Sequence, residues 1–426
     1  MANSTLGCGV VNTSYTAGLI STVDEAGTRN IGAVTHITGD PNLLMSGDPR
    51  ILGFKHNGAD RALVASYRYS FGSPGDAVFG IYDPTTWTLL VMKTTTDWGF
   101  SNPYGLVVIG DDLYVQDYDS GTITKVDMAS SYTSSTVYTV TPTSGYTAHG
   151  NGMDWYNDGS TDYLVAVYSQ VDPSYNYTNS ILVNLDITSS PVSASTVSIN
   201  ANAVSVSVDE DGYAHVCSSG GSQVAGGNGA NSKLEIVDLN TSPLAVSATI
   251  TAVTTPSTFG DFVDVAFIAG GDAYVLLANY NSSWTIYTYR IIKTTATALQ
   301  AGSFGTNSNY SSTTTAGSTW LLAPDSSLLW FVSANIVNKI DTSVAIASSA
   351  ITALANATDG TSSGIGLGSP TINGFLNTAS VVIEKTVPAR VGIAARAIAR
   401  TKSAIKFVVP EADKEALEQS AAAKQK

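Results

Sequence analysis

Four histidines, His36, His56, His149 and His215, are the only imidazoles in 426 residues. That scarcity limits the metal chemistry open to the chain, because a catalytic metal needs several His or carboxylate ligands converging on one point. His36 and His215 lie within predicted strands, and His56 sits in a predicted turn, "KHNG". Only His149 falls in a loop of the kind that carries ligand sites, and a lone histidine is more often a satisfied structural residue. Asp48, Asp97 and Asp261 could hold Ca²⁺ together with loop carbonyls, but their spacing matches no calcium loop. The expectation is therefore no metal and no other cofactor. Cys8 and Cys217 form no CxxC and no ligand spacing. Cys217, in "YAHVCSS", reads as a small buried hydrophobe, and a Cys8–Cys217 disulfide stays open. No GxSxG, P-loop or HExxH occurs. "GGNGANS" (226–232) joins two strands and opens no helix, so it is no phosphate cradle.

What the chain does carry is aromatics in polar loops. "TTDWGFSNPY" holds Trp98, Phe100 and Tyr104; "PTSGYTAHGN" holds Tyr146 and His149; "VDPSYNYTNS" holds Tyr175 and Tyr177. "ANYNSSW" brings Tyr280 and Trp284, and "SNYSSTTTAGSTW" brings Tyr310 and Trp320. Flat apolar rings beside amides and hydroxyls suit sugars or protein surfaces. The predicted ligand face is Trp98, Phe100, Tyr104, Tyr146, His149, Tyr175, Tyr177, Tyr280 and Tyr310. The competing reading is packing between sheets, and it is strongest for Trp284 and Trp320, which begin strands.

The elements that must position these loops are strands. Paired apolar or alternating runs flank Asn57-Gly58, Gly110-Asp111, Asn157-Asp158-Gly159, Asp211-Gly212, Gly270-Gly271-Asp272 and Pro324-Asp325, which is the hairpin signature. The pattern recurs every 46 to 59 residues or so. A second hairpin follows each, and its first strand tends to end in Asp: Asp83, Asp127, Asp186, Asp238 and Asp341, with "YTYRII" as the exception. Such an aspartate accepts backbone N–H groups just ahead and closes a turn. Gly18 to Ile37 reads as a second hairpin without a first, and Thr371 to Lys385 as a first without a second. Six whole units and two complementary halves predict an all-β, seven-bladed β-propeller with velcro closure, its chain ends sharing a sheet. A linear solenoid would instead carry polar caps.

The stretch "NPYGLVVIGDDLYVQDYDSGTITKVD" (102–127) resembles the NHL/YncE-like propeller repeat, with its Pro-x-Gly-apolar entry, Asp/Gly turn and "LYVxD" second strand. The unit at 203–239 resembles it more loosely. The resemblance implies the fold rather than an activity, because propellers host binding modules, lyases and lactone hydrolases alike.

Domain expectations are an N-terminal segment (1–17), the propeller (18–387) and a basic tail (388–426). From Lys385 onward nine Lys/Arg face four Asp/Glu, about +5, while the rest of the chain is near −19 against an overall −14. An acidic body repels phosphate backbones, so nucleic acid is not an expected partner. In the tail, Arg396/Arg400 and Lys402/Lys406 are spaced i, i+4 as on a helix. Arg390, Arg396, Arg400, Lys402 and Lys406 form a predicted assembly or docking arm, with self-association through 388–426. No charged and apolar leader precedes "TLGC" near the start, and no run reaches the 18 or so apolar residues of a membrane span. The leading functional expectation is a non-enzymatic binding or assembly module at a cell surface, outside the cell or in the periplasm, with protein or surface glycan as partner. Two alternatives stand beside it: a metal-dependent propeller enzyme of the lyase or lactonase type, and a virion structural protein.

Overall fold

The computed structural model describes residues 7–14, 17–24, 29–34, 50–66, 69–70, 73–74, 78–84, 86, 88–100, 102–174, 176–221, 231–251, 261–268, 271–280, 286–305, 308–312, 328–333, 336–341, 351–356 and 370–376. Among them lie seven antiparallel sheets and one short ribbon. The first sheet holds β1 (Gly7–Ser14), β2 (Ala17–Asp24) and β3 (Arg29–Val34). The second runs β4 (Arg50–His56), β5 (Ala59–Ser66), a ribbon of β6 (Tyr69–Ser70) and β7 (Ser73–Pro74), then β8 (Val78–Asp83) and β9 (Thr88–Thr94). One helical turn, α1 (Thr95–Trp98), leads to the third: β10 (Pro103–Ile109), β11 (Asp112–Asp117), β12 (Thr122–Asp127) and β13 (Thr133–Thr139).

The fourth sheet is β14 (Thr147–Asn157), β15 (Asp162–Val171), β16 (Tyr177–Asp186) and β17 (Ser193–Ala201). The fifth is β18 (Ala203–Val208), β19 (Tyr213–Ser218), β20 (Lys233–Asp238) and β21 (Ala245–Thr251). The sixth is β22 (Asp261–Ile268), β23 (Asp272–Tyr280), β24 (Ile286–Thr295) and, after α2 (Ala296–Gln300), β25 (Ser308–Ser312). The seventh has β26 (Leu328–Ser333), β27 (Ile336–Asp341) and β28 (Ile351–Asn356). Last comes β29 (Pro370–Leu376), which pairs antiparallel with β1 in the first sheet, Cys8 opposite Phe375.

The shared sheet therefore takes three strands from the N-terminal side and one from the C-terminal side, not two and two. β1 lies within the segment predicted to precede the propeller. Gly7–Ser14 pairs with β2 on one side and β29 on the other. First strands of successive sheets sit side by side in the order β29, β4, β10, β14, β18, β22, and β26 approaches β29.

Burial follows position in the sheet. Second strands such as β11 and β15 are buried on both faces, whereas outer strands such as β13 and β21 alternate with solvent. Each middle strand is sandwiched between neighbouring sheets, so it reads as a continuous apolar run. The core is correspondingly divided into inter-sheet layers, one of which joins Tyr156, Val165 and Leu182 to Val206, Val216 and Val237.

The Asp-ended strands close turns as predicted. Asp83 accepts the N–H of Thr86, Asp127 that of Ser130, Asp186 those of Thr188 and Ser189, and Asp238 that of Asn240. The Ser130 hydroxyl, together with the Ser130 N–H, holds the Asp127 carboxyl below its ordinary range. Where the pattern fails, at β24, Thr295 caps α2 instead, its hydroxyl accepting from the Ala298 N–H.

The β1–β29 register makes a direct prediction. Substituting Phe375→Cys places a thiol opposite Cys8, within disulfide reach for directly facing strand residues. Mild oxidation is expected to give a cross-link between chain ends, seen as faster migration on a non-reducing gel. A reduced product under all oxidants would mean that the two strands do not face each other.

Candidate functional site

Four consecutive inner strands break register at their first turn of chain. β10 bulges between Pro103 and Gly105, β14 between Gly150 and Gly152, β18 between Ala203 and Ser205, and β22 between Phe262 and Asp264. The skipped residues are Tyr104, Asn151, Val204 and Val263. All four line one pocket of about 270 Å³. A bulge leaves one residue unpaired and re-aims its side chain, and here the repetition turns one residue per sheet toward a common mouth.

The remaining lining comes from the ends of the second strands and the starts of their neighbours: Tyr118, Ser169, Tyr177, Asn202, Ser219, Asp261 and Phe262. These are the strand-entry loops and the loops joining second to third strands. Two Asn–Ser pairs repeat across sheets. The Asn151 amide donates to Ser169 Oγ at 2.8 Å and to the Ala203 carbonyl at 2.7 Å. The Asn202 amide donates to Ser219 Oγ at 2.6 Å. Asn202 sits at φ +53°, a left-handed conformation that asparagine tolerates better than most residues. Each serine oxygen thus accepts from an amide and keeps its own proton to give.

On the aromatic side, Tyr104 and Tyr118 rings lie 5.6 Å apart, and Tyr118 stacks on His149 at 4.5 Å. The His149 Nδ1 lies 3.2 Å from the Tyr118 carbonyl; a carbonyl only accepts, so Nδ1 carries the proton. Beneath, buried Gln116 ties the third sheet to the fourth, donating to the Val167 carbonyl and accepting from the Gly152 N–H. Gly150 is required there, since a Cβ would lie 2.6 Å from Gln116 Cγ.

Among the described residues, the one acid in the lining is Asp261. Burial pushes its carboxyl from 3.8 up to about 6. Burial likewise raises the Tyr118 and Tyr177 hydroxyls.

Of the predicted ligand face, Tyr104 and Tyr177 line the pocket and His149 backs Tyr118. Tyr146 is half-buried in its turn, and its N–H bonds the Thr143 carbonyl. Trp98 and Phe100 are not on the face at all. Their loop crosses from the outer strand of one sheet to the inner strand of the next, so its rings fill the wedge between sheets. Trp98 is 2% and Phe100 1% exposed, packed on Phe79 at 5.0 and 4.5 Å, and the Trp98 indole donates to the Tyr132 carbonyl. Tyr280 ends β23, and Tyr310 lies in β25, the outer strand of its sheet, opposite Ile291. Tyr175, Trp284, Trp320, His36 and the tail with Arg390, Arg396, Arg400, Lys402 and Lys406 fall outside the described residues.

The calcium candidates separate too. Asp97 caps α1, accepting from the Thr94 N–H at 2.7 Å, Asp48 lies outside the described residues, and Asp261 is in the pocket. Among the described residues no three His, Cys, Asp or Glu come together as metal ligands. Cys217 is a free, buried thiol, pushed up by burial. His56 is not at an open turn: it is buried and reaches Asp111 of the next sheet at 2.9 Å. Among the described residues no helix is long and apolar enough to cross a membrane.

No family model matches the chain, and no curated protein does. Solved structures do. A protein provisionally named 6-phosphogluconolactonase from Bacteroides fragilis is 13% identical, with a TM-score of 0.52 over 83% of this chain and 96% of its own. One of the same provisional name from Bacteroides uniformis is 14% identical, with a TM-score of 0.51 over 83% and 98%. The periplasmic gluconolactonase of Pseudomonas aeruginosa is 11% identical, with a TM-score of 0.51 over 86% and 97%. The fold is a β-propeller. The expectation of a non-enzymatic binding or assembly module is corrected by these neighbours, whose names are those of lactonases.

Proposed function

We propose that this propeller has seven blades, sealed where β29 joins β1, and that its pocket hydrolyses a sugar lactone with Asp261 as general base. The seven sheets, the sequence of neighbouring inner strands and the NHL/YncE-like grammar of residues 102–127 support the first part. The lactonase names of the structural neighbours support the second. The observation that carries the second part is Asp261, a carboxyl raised to about 6 inside a pocket otherwise lined by amides, hydroxyls, aromatic residues and two valines.

A base with its pKa near the working pH is both ionised and strong enough to take a proton. Asp261 removes a proton from water as the water oxygen bonds to the lactone carbonyl carbon. Negative charge gathers on the carbonyl oxygen, where the Ser169 and Ser219 hydroxyls, held by Asn151 and Asn202, donate to it. The ring C–O bond then breaks, the leaving oxygen takes the proton back from Asp261, and an open hydroxy acid is released. Tyr104 and Tyr118 offer apolar ring faces to the sugar ring.

The test is proton release in a pH-stat with gluconolactone, corrected for the spontaneous rate. The enzyme-dependent rate is expected to rise with pH through about 6, as Asp261 ionises, and then level. A rate indistinguishable from buffer across that range would overturn the hydrolase reading.

A further inference from the structure

From Thr94 to Tyr289, the span that supplies every pocket residue, the sequence contains only two Lys or Arg residues, Lys125 and Lys233, against nineteen acidic ones. Lys125 is ion-paired with Asp112, and neither lysine lines the pocket. The lining offers side-chain amides, hydroxyls, aromatic rings and one carboxyl.

Phosphate recognition relies on Arg or Lys, or on a fan of backbone N–H groups at a helix start. The pocket walls instead come from strand ends and connecting loops of the third to sixth sheets. A phosphate dianion would enter a mouth where Asp119, which acts on Tyr118, and Asp261 share its sign, with no lysine or arginine among the lining residues. A polyol meets the reverse situation, because its hydroxyls pair with amides and serines and its ring faces lie on Tyr104 and Tyr118. The volume of about 270 Å³ suits a single small ring, at the low end of the roughly 300–1,000 Å³ typical of ligand sites.

We infer that the pocket selects uncharged monosaccharide lactones and rejects their phosphate esters, unlike the chemistry in the names of two of the three neighbours. This rests on the pocket being the lactone site proposed above. The exclusion is electrostatic, so it acts on binding as well as turnover.

Calorimetry with gluconolactam, an uncharged analogue that resists hydrolysis, and with its phosphate ester separates this inference from the hydrolase reading. The lactam is expected to bind the wild-type protein at least about 50-fold more tightly than the ester at low salt, the scale of unpaired like charges near a low-dielectric pocket. Raising ionic strength should narrow the gap, because added salt screens the acidic surroundings. Equal or tighter binding of the ester would overturn the inference, and so would failure of the lactam to bind. Selective lactam binding without lactone hydrolysis would uphold the selectivity and remove only the catalytic step.

Discussion

Asp261→Asn is expected to abolish lactone turnover and, above pH 6, to make the folded protein more stable. Both effects follow from one fact, that the carboxyl is partly withdrawn from water with its pKa up from 3.8 to about 6. For activity, an asparagine cannot take a proton from water, so kcat should fall by about 10²–10⁴, the usual contribution of a general base. For stability the sign is set by proton count. Between 3.8 and about 6 the folded chain holds a proton that the unfolded chain has released, so wild-type stability falls as pH rises across that window and is flat above it. The shift corresponds to at most about 3 kcal/mol. Asparagine has no charge to desolvate and shows no such loss. The variant's advantage should therefore be absent at pH 3.5 and largest at pH 7 and above, read from denaturant midpoints at each pH. Asp261→Glu should keep part of the turnover. Wild-type kcat in the asparagine variant, or no gain in stability at pH 8, would show that Asp261 is neither the base nor a strained group. The pairing of lost activity with gained stability is what a site shaped for function produces.

The fold was legible because hairpin grammar is local. Asn57-Gly58 and Gly110-Asp111 announce their turns, and apolar runs on both sides announce strands buried on two faces. The pocket's general place was legible too, since it lies where inner strands begin and second strands end. Its residues mostly were not. Tyr104 and Tyr177 were singled out, but Asn151, Asn202, Ser169 and Ser219 were not, although an Asn near the start of three of the four inner strands ("SNPYG", "HGNGMD", "NANAVS") is visible in the sequence. What places Asn151 beside Tyr104, Val204 and Val263 is a bulge repeated in four sheets, and no residue type announces a bulge among alternating apolar residues. Trp98 and Phe100 failed for the opposite reason. An aromatic in a polar loop reads the same whether the loop faces solvent or bridges two sheets, and only the crossing from β9 to β10 decides. Asp261 reads as a calcium candidate because sequence shows an acid but not its burial.

At the far ends of the strands, the largest loss of stability is expected from Asp209→Ala. Asp209 is 1% exposed and collects four donors. One oxygen accepts the N–H groups of Asp211 and Tyr213 at 3.0 and 2.9 Å, and the other meets His215 Nε2 and Gln300 Nε2, both at 2.8 Å. A carboxylate facing His215 Nε2 accepts from it, so that nitrogen carries the proton. His215 is fully buried and set edge-on to Phe267 at 4.7 Å. Gln300 belongs to α2, so this carboxylate closes its own turn and also latches the fifth sheet to the sixth. Removing it strands a buried imidazole N–H and two backbone N–H groups and leaves the Gln300 amide with Asp211 as its remaining acceptor. Breaking a buried, hydrogen-bonded pair by deleting one partner costs about 3–5 kcal/mol. Asp211→Ala loses a side-chain contact only to the Gln300 amide and should cost about 1 kcal/mol or less, the scale of one part-exposed hydrogen bond. The latch is a turn-end feature and the pocket lies at the other end of the strands. Any Asp209→Ala protein that remains folded should therefore keep wild-type lactam affinity while its denaturation midpoint drops well below that of Asp211→Ala. Equal midpoints for the two variants would mean that the carboxylate does not hold the sheets together.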